Sequence, residues 1–132
     1  MKLPVEKFMS FPVVTTTTNA NVAYIRELME RKQVNAIPIV KLPTGKEIVE
    51  GRKIEPKGIV TSSDLRCVED DHTDVDLVMS RPMLTITRET TATEAALIMM
   101  KNDVHHLLVM EDGKIVGMIS SMDFVRLVAK EK

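Results

Sequence analysis

Apolar residues in this chain follow two patterns that alternate twice. Val22, Ile25, Leu28 and Met29 share one stripe of a helix predicted over Asn21–Gln33, and Ala92, Ala95, Ala96 and Met99 do the same over Ala92–Asn102. Each helix is followed by apolar strand-like runs. Ile37-Pro38-Ile39-Val40 leads on to Gly58-Ile59-Val60, and Leu107-Leu108-Val109-Met110 leads on to Ile115-Val116-Gly117-Met118-Ile119. Asp112-Gly113 between the later pair of runs is a strong hairpin signal. Thr61-Ser62-Ser63 and Ser120-Ser121 then supply hydroxyls suited to capping a second helix in each half, with Leu65 and Val68, or Phe124, Leu127 and Val128, turned inward. Each half therefore reads as a short strand, a helix, a hairpin and a second helix.

The two halves are copies. Met9-Ser10-Phe11-Pro12 recurs as Met79-Ser80-Arg81-Pro82, and at the same spacing Thr15 aligns with Thr85, Met29 with Met99 and Val34 with Val104. Further on Gly58 aligns with Gly117, Thr61 with Ser120, Asp64 with Asp123 and Leu65 with Phe124. The spacing changes because the first hairpin carries a longer connection, 41–57, where the second has only Glu111–Val116. Insertions settle in surface loops, so 41–57 is expected to be an extended hairpin arm with turns at Thr44-Gly45 and Gly51. The organisation expected is a first module over 1–68, a linker over 69–76 and a second module over 77–132. The linker holds five carboxylates in eight residues and is expected to be solvated.

Composition narrows the functional classes. A hydrophobic fraction of 44% allows a core without disulfides or metal. No apolar run is long enough for a membrane helix, and MKLPVEKFMSFP lacks the regions of a signal peptide, so a cytoplasmic protein is expected. The single cysteine, Cys67, fits a reducing compartment and gives no zinc pattern. A net charge of −1 and 3% aromatic residues provide neither a basic footprint nor stacking platforms, which argues against polymeric nucleic acid as a partner. The ten methionines sit mostly where core residues are expected.

Chemistry concentrates at one joint in each copy. Gly58-Ile59-Val60-Thr61-Ser62-Ser63-Asp64 and Gly117-Met118-Ile119-Ser120-Ser121-Met122-Asp123 share glycine, two apolar residues, a hydroxyl, two residues and aspartate. At a helix start, free N–H groups and the dipole attract an anion, and the Thr61 or Ser120 hydroxyl can bond a phosphate. The aspartate in the first turn can accept both hydroxyls of a ribose. A hydroxyl followed by aspartate is equally an ordinary capping arrangement. Its repetition behind a matching strand and glycine points to a nucleotide role at one joint or both. His105 and His106 do not form a metal pair, because strand neighbours point to opposite faces and no third ligand stands out. One is expected to pack or cap and the other to approach a ligand phosphate, in which case binding strengthens at mildly acidic pH.

With M-S-x-P ahead of it and an apolar strand of the IPIV or HLLV type, this motif resembles the CBS domain, and the resemblance covers nearly the whole chain. It implies a mixed α/β (α+β) fold in which two tandem pseudo-symmetric β-α-β-β-α modules pack through their sheets into one domain with two clefts. It places the ribose-binding carboxylates at Asp64 and Asp123 and the phosphate-side hydroxyls at Thr61 and Ser120. The adenine would rest against Val14, Thr15 and Ile59 in one cleft and against Leu84, Thr85, Ile86 and Met118 in the other, with His106 the residue near a ligand phosphate. Asn35-Ala36-Ile37-Pro38 and His105-His106-Leu107-Leu108 differ between the copies, so unequal affinities are expected. The ligands implied are AMP, ADP or ATP, with NAD or S-adenosylmethionine also compatible, and no cofactor is required.

Two functions remain: a regulatory sensor of adenine nucleotide or adenosyl ligand, acting as a homodimer on an unknown partner protein, or a ligand-free dimerisation scaffold. An enzyme is not expected, since no nucleophile and base are arranged together.

Overall fold

In a computed structural model, which describes residues 1–49 and 53–130, the two repeats form matching sets of elements. The first set is β1 (Thr16–Thr17), α1 (Val22–Lys32), β2 (Ala36–Lys41), α2 (Lys46–Val49), β3 (Glu55–Thr61) and α3 (Ser62–Leu65). The second is β4 (Thr85–Ile86), α4 (Ala92–Asn102), β5 (His106–Glu111), β6 (Lys114–Ser120) and α5 (Ser121–Lys130). The mixed α+β class and the order read from the sequence are those observed.

Local chemistry sets the helix limits. Asn21 caps α1 by accepting the Tyr24 N–H at 2.9 Å, and Thr91 forms a capping box with Glu94 at the start of α4. Gln33 and Asp103 end the two helices in the left-handed region, at φ 55° and 51°. The stripes predicted for α1 and α4 face inward: Val22 and Ile25 are buried with Ile37, Ile39 and Val60, and Ala95 and Met99 with Leu107, Val109 and Ile119, whereas in α5 Phe124 packs against the core and Val128, expected inward, is 65% exposed.

Each repeat builds a three-stranded sheet, ordered β1-β2-β3 or β4-β5-β6, with a parallel outer pair and an antiparallel hairpin. Both hairpins carry a register shift, between Ile39 and Val40 and between Val109 and Met110. The second hairpin turns at Asp112-Gly113 with φ 51° and 73°, the doubly positive geometry that a two-residue turn of this kind requires. The first carries the expected arm, with a turn at Gly45 (φ 49°) followed by the single-turn α2. Gly51 lies outside the described residues.

By its contacts the chain divides into two compact units, one of residues 14–83 and one of residues 1–13 with 84–132. The leader of each repeat therefore folds with the other repeat. In the second unit Leu3 accepts the Ala92 N–H of α4 at 2.8 Å, and Val5, on a 3-10 turn at Val5–Lys7, is fully buried. In the first, Thr73 accepts the Val22 N–H of α1 at 2.9 Å, and Val75, on a 3-10 turn at Val75–Leu77, is fully buried. The carboxylates of 69–76 are exposed, as a solvated stretch requires, but the backbone between them closes the start of α1 and is not free.

One predicted element is shorter than its pattern. The second helix of the first repeat ends at Leu65, whereas α5 continues to Lys130. The Arg26 guanidinium donates to the carbonyls of Leu65 and Val68, both at 2.8 Å, and pairs with Asp71 at 3.2 Å. Those carbonyls are thus satisfied by a side chain from α1, and Val68 reaches the core from a turn. The matching position in α4 is Ala96, which offers no such donor.

Candidate functional site

The two joints sit where β3 runs into α3 and β6 runs into α5, and glycine brings a further segment against each strand. Ser80 exchanges backbone hydrogen bonds of 2.8 and 2.9 Å with Ile59, and Ser10 exchanges bonds of 2.9 and 3.0 Å with Met118. These contacts run past Gly58 and Gly117. A Cβ on Gly58 would lie 2.5 Å from the Ser80 carbonyl oxygen, and one on Gly117 would collide with the Met9 side chain.

At the first joint the Thr61 N–H and hydroxyl donate to Asp64 Oδ2 at 2.8 and 3.0 Å, and the Asp64 N–H returns to Thr61 Oγ1 at 3.3 Å. This is a complete capping box, so the capping role left open by the sequence is realised here. It occupies one carboxylate oxygen. Asp64 Oδ1 has no hydrogen-bond partner among the described residues, and the side chain is half-buried. Because α3 is a single turn, little helix dipole is available to hold an anion at this joint.

At the second joint Ser120 donates to Asp123 Oδ2 from its N–H at 2.8 Å and from its hydroxyl at 3.3 Å. Here the other oxygen is engaged as well: Asp123 Oδ1 accepts from the Ser10 hydroxyl at 3.5 Å and the Arg126 guanidinium at 3.4 Å. Asp123 is only 7% exposed. α5 runs from Ser121 to Lys130, so this joint does carry a full helix start. Sequence reasoning did not single out Ser10 or Arg126. The first belongs to the repeated M-S-x-P segment, and the second lies one helical turn beyond Asp123.

The other predicted residues divide by backbone pairing. Thr85 pairs with Leu108, Leu108 with Met118 and Met118 with Ser10, while His106 pairs with Ser120. Leu84, Thr85, Met118, His106, Ser120 and Asp123 therefore gather along one sheet. Ile86 instead turns into the core at 7% exposed, and Leu84 packs against that core. In the first unit Ile59 pairs with Pro38 and Ser80. Val14 packs against the core, Thr15 is half-buried, and neither belongs to β1. Pro38 explains that difference. Leu108 donates its N–H to the Leu84 carbonyl at 3.0 Å, and Pro38 at the matching position has no N–H to give Val14.

Burial lowers the His106 pKa below its usual 6.5, the neighbouring His105 lowers it further, and Asp123 opposes both. At neutral pH the imidazole offers a ligand a hydrogen bond and no charge. His105 takes the capping role: its carbonyl accepts the Ser121 N–H at 3.1 Å, and its Nδ1 lies 3.2 Å from the Ser121 hydroxyl. Among the described residues no group of three or more His, Cys, Asp or Glu is placed to hold a metal ion, and no helix is long and apolar enough to cross a membrane.

The CBS domain family matches this chain twice, over residues 5–71 and 73–130, and each match contains one joint. The chain belongs to the CBS domain family. Over 111 residues this CBS pair is 31% identical to an inosine-5′-monophosphate dehydrogenase of Chlorobaculum parvum, covering 83% of the chain but only 22% of that enzyme. It is 29% identical over 126 residues to an uncharacterised protein of Methanocaldococcus jannaschii, covering 96% of the chain and 66% of that protein. Among solved structures, a CBS domain pair in complex with 5′-methylthioadenosine and S-adenosyl-L-methionine superposes with a TM-score of 0.80 at 23% identity, covering 100% of both chains.

Proposed function

We propose that this CBS pair is a regulatory module that binds an adenosyl ligand, with Asp64 and Asp123 receiving the ribose and Thr61 and Ser120 the phosphate side or its equivalent. The observation that carries the reading is Asp64: its cap uses Oδ2 alone, and Oδ1 stays open on a half-buried carboxylate fixed in position. A carboxylate held this way meets a ribose hydroxyl without reorganising. The pair of similar fold that holds S-adenosyl-L-methionine and 5′-methylthioadenosine, both built on adenosine, supports the ligand class. AMP, ADP, ATP and NAD present the same ribose and adenine.

Val14, Thr15 and Ile59 line one site, and Leu84, Thr85 and Met118 the other, chiefly through backbone, with Ile86 contributing its backbone only. The module works in the cytoplasm, as a homodimer, and passes ligand occupancy to another protein through differential affinity for two states. No bond is made or broken in this role.

A ligand-free scaffold is the second reading, favoured by the capping box at Thr61 and Asp64, which is complete with protein groups alone. Thermal or urea unfolding separates the two. At a hundred times its dissociation constant a bound ligand raises stability by roughly 2.7 kcal/mol, whereas a scaffold shows no shift with any adenosyl compound.

A further inference from the structure

The aspartate of the second joint carries a cation that the aspartate of the first lacks. Arg126 aligns with Cys67, and His106 with Ala36, which pairs with Thr61 as His106 pairs with Ser120. Arg126 Nη1 donates to Asp123 Oδ1 at 3.4 Å from one turn further along α5. Among the described residues no ion pair reaches Asp64. Arg66 follows it by two residues, a spacing at which helical side chains do not face each other, and Arg81, next to Ser80, is held by Asp76 at 2.7 Å.

Arg126 is only loosely committed. Its side chain is 62% exposed, and Nε and Nη2 have no hydrogen-bond partner among the described residues. A guanidinium presents five N–H donors in a planar fork that matches a phosphate, so one edge can stay on Asp123 while the other takes an anion. A ligand with an uncharged 5′ substituent offers those donors nothing and still has to share Asp123 Oδ1 with Arg126 and Ser10. A 5′ phosphate offsets that cost, and a 5′ sulfonium adds repulsion to it. At the first joint Asp64 Oδ1 is open and no guanidinium stands at it, so the ribose is received nearly alike whatever the charge beyond it.

We infer that Arg126 sets the ligand class of the second joint, which takes adenosyl compounds bearing a 5′ phosphate in preference to neutral or sulfonium ones, while the first joint draws no such distinction. The inference rests on the adenosyl-binding reading above and adds a specificity-determining residue to it.

Isothermal titration of the full chain with AMP, 5′-methylthioadenosine and S-adenosyl-L-methionine is the test. The second joint is read alone in Asp64→Ala, or in Asp64→Asn, which keeps an oxygen acceptor for the cap, and the first joint is read alone in Asp123→Ala. Far-ultraviolet circular dichroism confirms that each variant folds. In the Asp64 variant AMP is expected to bind about tenfold more tightly than 5′-methylthioadenosine, with S-adenosyl-L-methionine weaker still. Adding Arg126→Cys, which copies the first repeat, is expected to bring AMP and 5′-methylthioadenosine within about threefold of each other. Arg126→Lys is expected to keep part of the preference through charge alone, and added salt to reduce it. In Asp123→Ala the three ligands are expected to agree within about threefold. A preference for AMP that survives Arg126→Cys overturns the inference and leaves the adenosyl-binding role intact. So does an equal preference at the first joint. Heats no larger than dilution for all three ligands with the wild type would remove the role and the inference together.

Discussion

Gly58 lies so close beneath Ser80 that a Cβ on it would fall 2.5 Å from the Ser80 carbonyl oxygen. The same Cβ would sit 3.0 Å from the Met79 sulfur. At Gly117, by contrast, the obstacle is the flexible side chain of Met9. Backbone held by paired hydrogen bonds cannot give way as a methionine can. Gly58→Ala is expected to cost about 2–3 kcal/mol, and Gly117→Ala about 1 kcal/mol. Urea denaturation of both variants checks this, and equal losses would mean that the Ser80 segment moves aside freely.

Arg26 explains why α3 is short, and its removal has a defined cost. Arg26→Ala takes the guanidinium donor from the Val68 carbonyl, leaves the Leu65 carbonyl with only the Val68 N–H at 3.2 Å, and unpairs Asp71. With the guanidinium partly exposed, the expected loss is about 1–2 kcal/mol, and it falls on the first unit. Hydrogen exchange should report faster opening around residues 62–68 and 71–75, with the α4 amides unchanged. Uniform protection across both repeats would contradict this role.

That arginine also marks where the sequence stops being readable. Stripes such as Val22-Ile25-Leu28-Met29 announce a helix because burial is periodic, and Asp112-Gly113 announces a hairpin because few residues accept two positive φ angles. Leu65 and Val68 fit a helical stripe too, but their backbone is finished by a side chain some forty positions away, which no local pattern encodes. The burial of Val5 and Val75 is hidden for the same reason, since each leader packs on the repeat it does not precede. At the joints the hydroxyl and aspartate were legible as a recurring motif. The contacts of Ser10 and Arg126 with Asp123 were not, because they depend on which segment the glycine admits.

His106 gives a pH signature. Its folded pKa is depressed by burial and by His105, with Asp123 opposing, so the unfolded chain takes up the proton first as the pH falls. The stability it contributes is fully present above its usual 6.5 and is lost as the pH drops from there through the folded value. Urea titrations across this range should show the wild type losing stability relative to His106→Asn on the acid side, with parallel behaviour above neutrality. A wild type that gains on acidification relative to the variant would reverse the sign and place a net anionic partner at this imidazole.

Unequal joints lead to unequal binding. Asp64 keeps Oδ1 open, whereas Asp123 is buried and shares Oδ1 with Ser10 and Arg126, so a ligand at the second joint must displace existing contacts. Isothermal titration of the full chain with AMP, ATP, NAD and S-adenosylmethionine, beside Asp64→Ala and Asp123→Ala, tests the adenosyl-binding role most directly. The expected result is saturable binding of at least one of these ligands at micromolar concentration, its tighter phase abolished by Asp64→Ala and its weaker phase by Asp123→Ala. Heats no larger than dilution for all four ligands, from folded protein, would contradict that role and leave the capped joints as structure alone.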